Sequence, residues 1–450
     1  MVSVCTGGAL QRSSGGEVVM KKTLVIVALL FLGTLPASEV GAKSSASGAV
    51  VRTWNDQAFN TVRAKSSSDA VAARTYAMVN AAMYDAVNGL TETKSQRTAA
   101  VVEPAPGISG DPAVAAAQAA HDVLVGLFPD RASFYDAQLA SDLASSPGGG
   151  KTKHAQEWGS QVAAGVLAAR ASDGSSPNEP QVGDPSVGHF APTWQGVQFR
   201  NLTPFAIADS SSYTGAPPPS LDSLDYATAF NEVKVVGNAA NVDQSKLDTF
   251  NFWKLPGGSD QPAGAWLQVA QFVSESRSLS LEDTARLFAL ESMAMADSVA
   301  PTYMTKYTFH TWRPAAAIQQ PDDDDGNPNT TSDPGWTARG GSAGTPEYFS
   351  GHSTFSSAAA RTLAAFFCSD QVPFTLTTDP PAAGAPAATR SYSSFTTAAA
   401  EAGRSRVLGG LHFEFSNQAA ATIGRAIADE VLASSLLLTK GSTHFGDCPL

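Results

Sequence analysis

Three short segments in the last third of this 450-residue sequence hold most of the polar residues that could surround an anion. The first segment runs from Lys306 to Arg313 and continues with Pro314, so two cations lie seven residues apart. Seven residues are about two helical turns, and this spacing predicts that both side chains project from one helix face. Such a pair is also common on solvated helix surfaces, so it indicates a site only together with the other two segments.

The second segment, Ser350-Gly351-His352, comes directly before a predicted helix over residues 353–368. A serine–glycine turn that enters a helix presents free backbone N–H groups and the positive end of the helix dipole. This segment therefore predicts a place where an anion binds to a helix N-terminus.

The third segment begins with Ser405-Arg406 and ends with His412. A pair of glycines at 409–410 lies between them and predicts a break in the helix. We expect the chain to bend there and to bring His412 back towards Arg406.

Together the segments supply three cations, a helix N-terminus with a hydroxyl group, and two histidines. A tetrahedral oxyanion with two or three negative charges needs such surroundings, because arginine gives forked hydrogen bonds and lysine a point charge. One histidine can bond to the central atom while the other transfers protons. The remaining histidines are predicted to be structural or on the surface: His121, His154, His189 and His444.

Helices must position these segments, because three- and four-residue hydrophobic spacing recurs through most of the chain. The predicted helices span residues 68–90, 111–128, 131–144, 151–171, 224–238, 243–253, 264–276, 280–303, 353–368, 395–405 and 417–438. Long segments rich in Pro, Gly, Ser and Asp separate them at 173–220, 256–262, 320–345 and 375–390. Alternating strand patterns are nearly absent. The sequence predicts an all-α fold in a single large domain with long irregular loops, in which alanine-rich faces allow close helix approach.

The N-terminal region has the features of a secretory signal peptide over residues 20–42. Lys21 and Lys22 precede a nine-residue apolar run at 24–32, and small residues stand at 40 and 42. The run is too short to cross a bilayer, which takes roughly 20 apolar residues. We expect residues 1–19 to be an extension upstream of the true start, and the chain from 43 to 450 to be periplasmic or secreted, with no membrane segment after cleavage. A buried hydrophobic helix is the alternative.

The composition also limits the function. The chain is 43% hydrophobic and 16% charged with a net charge of −12, which excludes a disordered chain and argues against nucleic acid as a partner. In an oxidising compartment Cys368 and Cys448 form an even pair, so a disulfide between them is predicted, with two free thiols as the alternative.

At these segments the chain resembles the superfamily of vanadium-dependent haloperoxidases and type 2 phosphatidic-acid-phosphatase-like acid phosphatases. That family carries the motifs K-x6-R-P, P-S-G-H and S-R-x5-H-x3-D. The first motif is complete here, whereas Phe349 replaces the proline of the second and Ser416 the aspartate of the third. The resemblance extends to residues 322–328 and to Pro346-Glu347-Tyr348, which are similar to the bacterial secreted branch, and more weakly to residues 72–204.

The resemblance implies a role for each motif residue. Equatorial oxygens of vanadate or phosphate would bind to Lys306, Arg313, Arg406, the Ser350 hydroxyl and the Gly351 N–H. His412 would be the ligand to vanadium, or the nucleophile of a phosphatase, and His352 the acid–base group beside the apical oxygen. The implied fold is two packed four-helix bundles, with the site within residues 290–440.

The function implied first is that of a haloperoxidase, which uses bound vanadate and hydrogen peroxide to oxidise halide to a hypohalous acid equivalent. Lys306 would polarise the peroxide, and phosphate would compete for the site. A secreted acid phosphatase acting on a phosphomonoester, with His412 as phosphoryl acceptor, and a degenerate oxyanion-binding protein are the alternatives. The length of the chain favours the first, because small acid phosphatases of this superfamily are much shorter. A homodimer is left open.

Three further residues and one acidic segment bear on the predicted site. Phe349 should leave binding intact, since the proline only rigidifies the turn. Ser416 puts the orientation and basicity of His412 in doubt, although it could cap the helix that begins at 417. His310 is either a proton relay or, as we favour, a residue behind the site or on the surface. The acidic run at 322–325 could bind calcium, but Pro321 occupies the first ligand position of the required pattern.

Overall fold

The computed structural model describes residues 47–92, 95–104, 109–146, 148–320 and 325–440, and these belong to one compact unit that runs from Ser45 onwards. The predicted signal peptide, the preceding extension, Cys448 and most of the acidic run lie outside the described residues. Within the described ranges, no helix combines the length and apolarity that a membrane crossing requires.

The described chain is mostly helical, as the sequence predicted. The helices are α1 Ala49–Lys65, α2 Asp69–Leu90, α3 Pro112–Leu127, α4 Ala132–Ala144, α5 Gly150–Ala169, α6 Leu224–Val236, α7 Gln244–Phe252, α8 Gln261–Ser276, α9 Leu281–Asp297, α10 Val299–Phe309, α11 Pro314–Gln319, α12 Gly351–Phe366, α13 Phe395–Leu408 and α14 Glu414–Ser434. Short 3-10 turns occupy Pro129–Arg131, Val197–Asn201 and Ser210–Tyr213.

Side-chain caps explain where many of these helices begin. The Ser68 hydroxyl accepts a hydrogen bond from the Val71 N–H at the start of α2, and Asp111 accepts one from the Ala113 N–H at the start of α3. Such caps satisfy backbone donors that have no partner inside the helix. Serine or aspartate caps α6, α7, α9, α12 and α13 in the same way.

The helices pack in two groups joined through α2 and α9. In the first group α2 contacts α3 and α5, and in the second α12 contacts α9, α13 and α14. Two glycines show how closely the helices approach: a Cβ at Gly159 would lie 2.5 Å from the Ala115 carbonyl oxygen, and one at Gly424 would lie 2.3 Å from that of Thr354. A side chain at either position would force α3 from α5, or α12 from α14.

Two local predictions differ from the structure. The segment at 375–390, predicted as irregular, is a β-hairpin in which β1 (Phe374–Thr378) pairs antiparallel with β2 (Ala388–Tyr392) and Phe374 lies opposite Tyr392. Both aromatic rings are buried, and burial alternates along β1, so one face of the hairpin packs on the core. The helix predicted over 280–303 is divided at Ser298 into α9 and α10, and α10 continues to Phe309.

Candidate functional site

The first segment is shaped differently from its prediction. Helix α10 ends at Phe309, and His310 adopts a left-handed conformation with φ of 48°. Lys306 therefore lies in the last turn of α10, whereas Arg313 lies beyond it at the N-cap of α11. The expectation that both cations project from one helix face is wrong, because the helix is interrupted between them. A turn, and not helical spacing, brings the two charges together.

Lys306 and Arg313 both bind to the loop segment Thr345–Glu347, here called the 345–347 segment. Lys306 Nζ donates to the carbonyl oxygens of Pro346 at 2.5 Å and Glu347 at 3.1 Å. Arg313 Nε donates to the Thr345 carbonyl at 2.8 Å, and its Nη2 to the Thr345 hydroxyl at 3.2 Å. Carbonyl groups hold both cations in place without neutralising them.

The second segment forms a helix N-terminus, as predicted. Ser350 is the N-cap of α12, and its Oγ accepts hydrogen bonds from the Ser353 N–H at 3.4 Å and the Ser353 hydroxyl at 3.0 Å. Gly351 begins the helix, and a Cβ added to it would meet Asp69 Oδ2 at 3.5 Å. At that distance a Cβ would be in ordinary van der Waals contact, so the Asp69 carboxylate at the start of α2 lies beside the N-terminus of α12.

The third segment bends as the glycine pair predicted. Helix α13 ends at Leu408, and Gly410 has a φ of 71°, which favours glycine. The backbone N–H groups of Leu411 and His412 then donate to the Arg406 carbonyl, at 3.0 and 3.4 Å. The bend therefore places the backbone of His412 next to that of Arg406.

His412 joins the first and third segments. Its Nε2 lies 2.9 Å from Arg313 Nη1, which also donates to the Leu411 carbonyl at 2.7 Å. A guanidinium can only donate hydrogen bonds, so Nε2 must be the acceptor and carry the lone pair. Burial lowers the pKa of His412 well below its ordinary value, and the charges of Arg313, Lys306 and Arg406 lower it further. His412 is therefore a neutral imidazole with its proton on Nδ1.

Glu347 is a site residue whose role the sequence did not reveal, although it lies in the stretch that carried part of the resemblance. Its Oε1 lies 2.8 Å from His412 Nδ1 and accepts the Phe413 N–H at 3.0 Å. The side chain is fully buried. Burial raises the pKa of Glu347 to about 7, a shift that the charges of Arg313 and Lys306 oppose. No local signal could have paired two residues 65 positions apart.

The expectation that Ser416 caps a helix beginning at 417 is also wrong. Helix α14 begins at Glu414, and Phe413 is its N-cap. Ser416 lies in the first turn, fully buried, with its Oγ 3.3 Å from His412 Nδ1. Ser416 therefore faces the imidazole, as the aspartate of the motif would, but presents only a hydroxyl.

Several buried polar atoms in the site have no hydrogen-bond partner among the described residues. They are Nε and Nη1 of Arg406, Nε2 of His352 and Oε2 of Glu347. The pKa of His352 is lowered by burial and by Arg406, and a hydrogen bond to the Lys254 backbone opposes this. Burial lowers the pKa of Arg406 to about 9 and that of Arg313 to about 10, so both stay charged at neutral pH. The site has buried donors that the protein leaves unused.

The other sequence candidates lie elsewhere or outside the description. The His310 ring packs against Trp194 at a centroid distance of 6.3 Å, which fits the interpretation that it lies behind the site. Among the described residues, no group of three or more His, Cys, Asp or Glu side chains could hold a metal ion. Residues 322–324 of the acidic run are not described. Cys368 is disulfide-bonded, as the predicted pairing with Cys448 requires.

Comparison with known proteins gives the same superfamily as the motifs. Residues 286–441 match the family model of the VCPO second helical-bundle domain. The sequence is 25% identical to the vanadium chloroperoxidase of Curvularia inaequalis in an alignment of 217 residues. The alignment covers 41% of this chain. That match spans 34% of the length of the Curvularia protein.

Solved structures extend the similarity to most of the chain. A bacterial vanadium-dependent iodoperoxidase has a TM-score of 0.72 at 22% identity, covering 88% of this chain and 98% of its own. A holo-type bacterial vanadium-dependent chloroperoxidase has a TM-score of 0.62 at 16% identity, covering 81% and 91%. Likeness at these identities establishes the fold. The chain therefore has the helical fold of the bacterial vanadium haloperoxidases, and its residues 286–441 match the second helical-bundle domain of that superfamily.

Proposed function

We propose that this protein is a vanadate-dependent haloperoxidase that uses hydrogen peroxide to oxidise halide to a hypohalous acid equivalent. The observation that carries the proposal is the set of unused buried donors beside a histidine whose Nε2 bears a lone pair. The solved structures that share the fold are haloperoxidases by name, and their activity supports the proposal by analogy.

The donor set fits vanadate. Leaving Nε and Nη1 of Arg406 buried without acceptors costs free energy, which an oxyanion would recover through charge-assisted hydrogen bonds. Arg313 and Arg406 stay positively charged at neutral pH, whereas burial and the charge of Arg313 lower the pKa of Lys306 well below its ordinary value. The carboxylates of Glu347 and Asp69 oppose that shift at Lys306. An oxyanion bound beside Lys306 would favour its charged form and would accept from the two arginines.

The residues of the chain have separate tasks in this proposal. His412 would hold the central atom through Nε2, and Lys306, Arg313 and Arg406 would bind its oxygens together with the N-terminus of α12. The bound vanadate would supply Lewis-acid activation of peroxide towards attack by halide. His352, whose Nε2 is buried and has no partner among the described residues, would accept or donate a proton at an oxygen of the bound group.

The test compares protein purified without vanadate before and after orthovanadate is added, with peroxide, bromide or iodide and a reporter phenol. We expect halogenation only after the addition, and competition by phosphate, which presents the same tetrahedral oxygens. His412→Ala should abolish vanadate retention. His352→Ala should retain vanadate but lose roughly 100- to 10,000-fold in turnover, as expected for an acid–base group.

His154→Ala is the matched control, because His154 is exposed on α5 and should be silent. Hydrolysis of p-nitrophenyl phosphate that vanadate inhibits, without halide oxidation, would replace the proposal with a phosphatase. Vanadate binding with neither activity would instead indicate a degenerate oxyanion-binding protein.

We also propose that the protein acts outside the cytoplasm. The signal-like segment at 20–42 supports this, and a disulfide at Cys368 is typical of an oxidising compartment. The intact mass of the exported protein should correspond to a chain beginning near Lys43. Recovery of a mature chain that retains residues 24–32 would refute the proposal.

A further inference from the structure

The third motif of the family places an aspartate four residues after the histidine, and this chain has Ser416 there. A carboxylate that accepts the Nδ1 proton fixes the tautomer of an imidazole ligand and raises the basicity of its other nitrogen. A serine hydroxyl at 3.3 Å is a weak substitute. The substitution should therefore weaken the site unless another part of the chain supplies the carboxylate.

Glu347 approaches the same nitrogen from a different element. Its Oε1 is 2.8 Å from His412 Nδ1, closer than the Ser416 hydroxyl. The imidazole is thus held between Arg313 Nη1 on Nε2 and Glu347 Oε1 on Nδ1. Because Arg313 can only donate, the proton must lie on the side of Glu347.

The backbone around Glu347 is held by both neighbouring motifs. Its N–H donates to the Thr311 carbonyl at 2.8 Å, and its carbonyl accepts from Lys306 Nζ at 3.1 Å. Its carboxylate also accepts the Phe413 N–H at 3.0 Å, at the start of α14. The carboxylate position is therefore determined by the same segments that carry the anion-binding residues.

We propose that Glu347 is the positioning residue that compensates for Ser416: its carboxylate accepts the Nδ1 proton of His412, fixes the ring and raises the basicity of Nε2, whose lone pair Arg313 Nη1 contacts in this structure and the central atom of a bound anion would take. This inference rests on the proposed function only in taking His412 as the residue that bonds the central atom. It predicts that an aspartate at position 416 can replace the carboxylate of Glu347 as the partner of His412 Nδ1. The chain thus has the same imidazole–carboxylate pair as the motif, built from a loop 65 residues earlier.

The experiment measures two properties of Glu347→Ala, Glu347→Gln and the double variant Glu347→Ala/Ser416→Asp. One is the hydrogen bond of the His412 Nδ1 proton in vanadate-free protein, from the Nδ1 15N and 1H chemical shifts. The other is orthovanadate affinity by calorimetry. We expect Glu347→Ala to bind vanadate about 10- to 100-fold more weakly, the usual effect of losing such a partner, and to lose the downfield Nδ1–H signal of a hydrogen bond to a carboxylate, while Arg313 still keeps the proton off Nε2.

The double variant should recover most of the affinity and the downfield Nδ1–H signal. Glu347→Gln should lose less than Glu347→Ala, because its amide oxygen can still accept from His412 Nδ1 and the Phe413 N–H. Glu291→Gln, at another fully buried glutamate, is the control for removing a buried acid and should leave both readouts unchanged. The glutamine variant also keeps the test valid if Glu347→Ala does not fold.

Wild-type affinity and a wild-type Nδ1–H signal in a folded Glu347→Ala or Glu347→Gln protein would overturn the inference. So would a folded double variant in which position 416 restores neither readout. Failure of the proposed function is distinguishable, because the Nδ1–H signal is read without vanadate. A signal that depends on Glu347 in a protein that does not bind vanadate would uphold the inference and refute the haloperoxidase.

Discussion

Two clusters of buried or half-buried cations in the described part of the chain differ in their hydrogen bonding. In the first, here called the Asp173 cluster, Arg74 Nε and Arg170 Nε donate to the same carboxylate oxygen of Asp173 at 2.7 and 3.0 Å. Arg170 also donates to the carbonyls of Thr203 and Pro204. Burial would raise the pKa of Asp173, but hydrogen bonds from Arg74 and Ser175 hold it below its ordinary value.

The site around His412 is arranged in the opposite way. Lys306 and Arg313 are held mainly by carbonyl groups, and two buried nitrogens of Arg406 have no partner within the described part of the chain. The Asp173 cluster satisfies its charges internally and so stabilises the fold. The site leaves the buried donors of Arg406 without acceptors, which costs stability and which the proposed function explains as affinity for an anion. Arg74 and Arg170 thus serve the fold, whereas under the proposed function Arg406 serves a ligand.

The largest expected effect is that Arg406→Met lowers vanadate affinity but not stability, whereas Arg170→Met lowers stability but not vanadate affinity. Arg406→Met should weaken vanadate binding by roughly 100-fold or more, through loss of charge-assisted hydrogen bonds. It should leave the free energy of unfolding of vanadate-free protein unchanged or raised, because a buried charge with unused donors is removed. Arg170→Met should cost about 3–5 kcal/mol of unfolding free energy and leave vanadate affinity unchanged.

Calorimetry for binding and denaturant titration for stability would measure the two effects. If Arg406→Met destabilised the vanadate-free protein as much as Arg170→Met, the distinction between the clusters would be lost.

A smaller effect is expected from Asp173→Asn, which removes the carboxylate from the first cluster. We expect a loss of about 2–3 kcal/mol at neutral pH, because two buried guanidinium groups lose their counter-charge. The folded pKa of Asp173 lies below the unfolded value. Its contribution is therefore present above the unfolded pKa and is lost as the pH falls through the folded pKa. The variant should show a shallower decline of stability in acid, and an unchanged acid profile would contradict this assignment.

The smallest effect concerns Glu291, a fully buried glutamate in α9 whose two carboxylate oxygens lack a hydrogen-bond partner among the described residues. Burial raises the pKa of Glu291 well above its ordinary value. Its stability contribution is therefore greatest below the unfolded pKa and declines as the pH rises towards the folded pKa. Glu291→Met should raise stability at neutral pH by about 1 kcal/mol or more and flatten this decline. Thermal unfolding at several pH values measures both, and a destabilised variant would show that Glu291 has an undetected partner.

Local sequence patterns predicted much of the fold and the motif residues of the candidate site. Hydrophobic spacing predicted most of the helices, and the glycine pair at 409–410 predicted the bend that returns His412 to Arg406. Ser350 was recognised at a helix N-terminus from its place before the helix. These features depend on residues close together in the chain, so their physical causes are visible in the sequence.

The sequence by itself determined the motif residues of the candidate site and the helices around them, but not the part that Glu347 takes; how these residues are paired was decided by the tertiary structure. Lys306 and Arg313 are separated by a helix end and brought together by the 345–347 segment, which binds both. The carboxylate that accepts the Nδ1 proton of His412 belongs to Glu347 and not to a residue at position 416. Both pairings depend on a loop packed between the ends of α10 and α13–α14, and contacts between such distant residues arise only when the whole core forms.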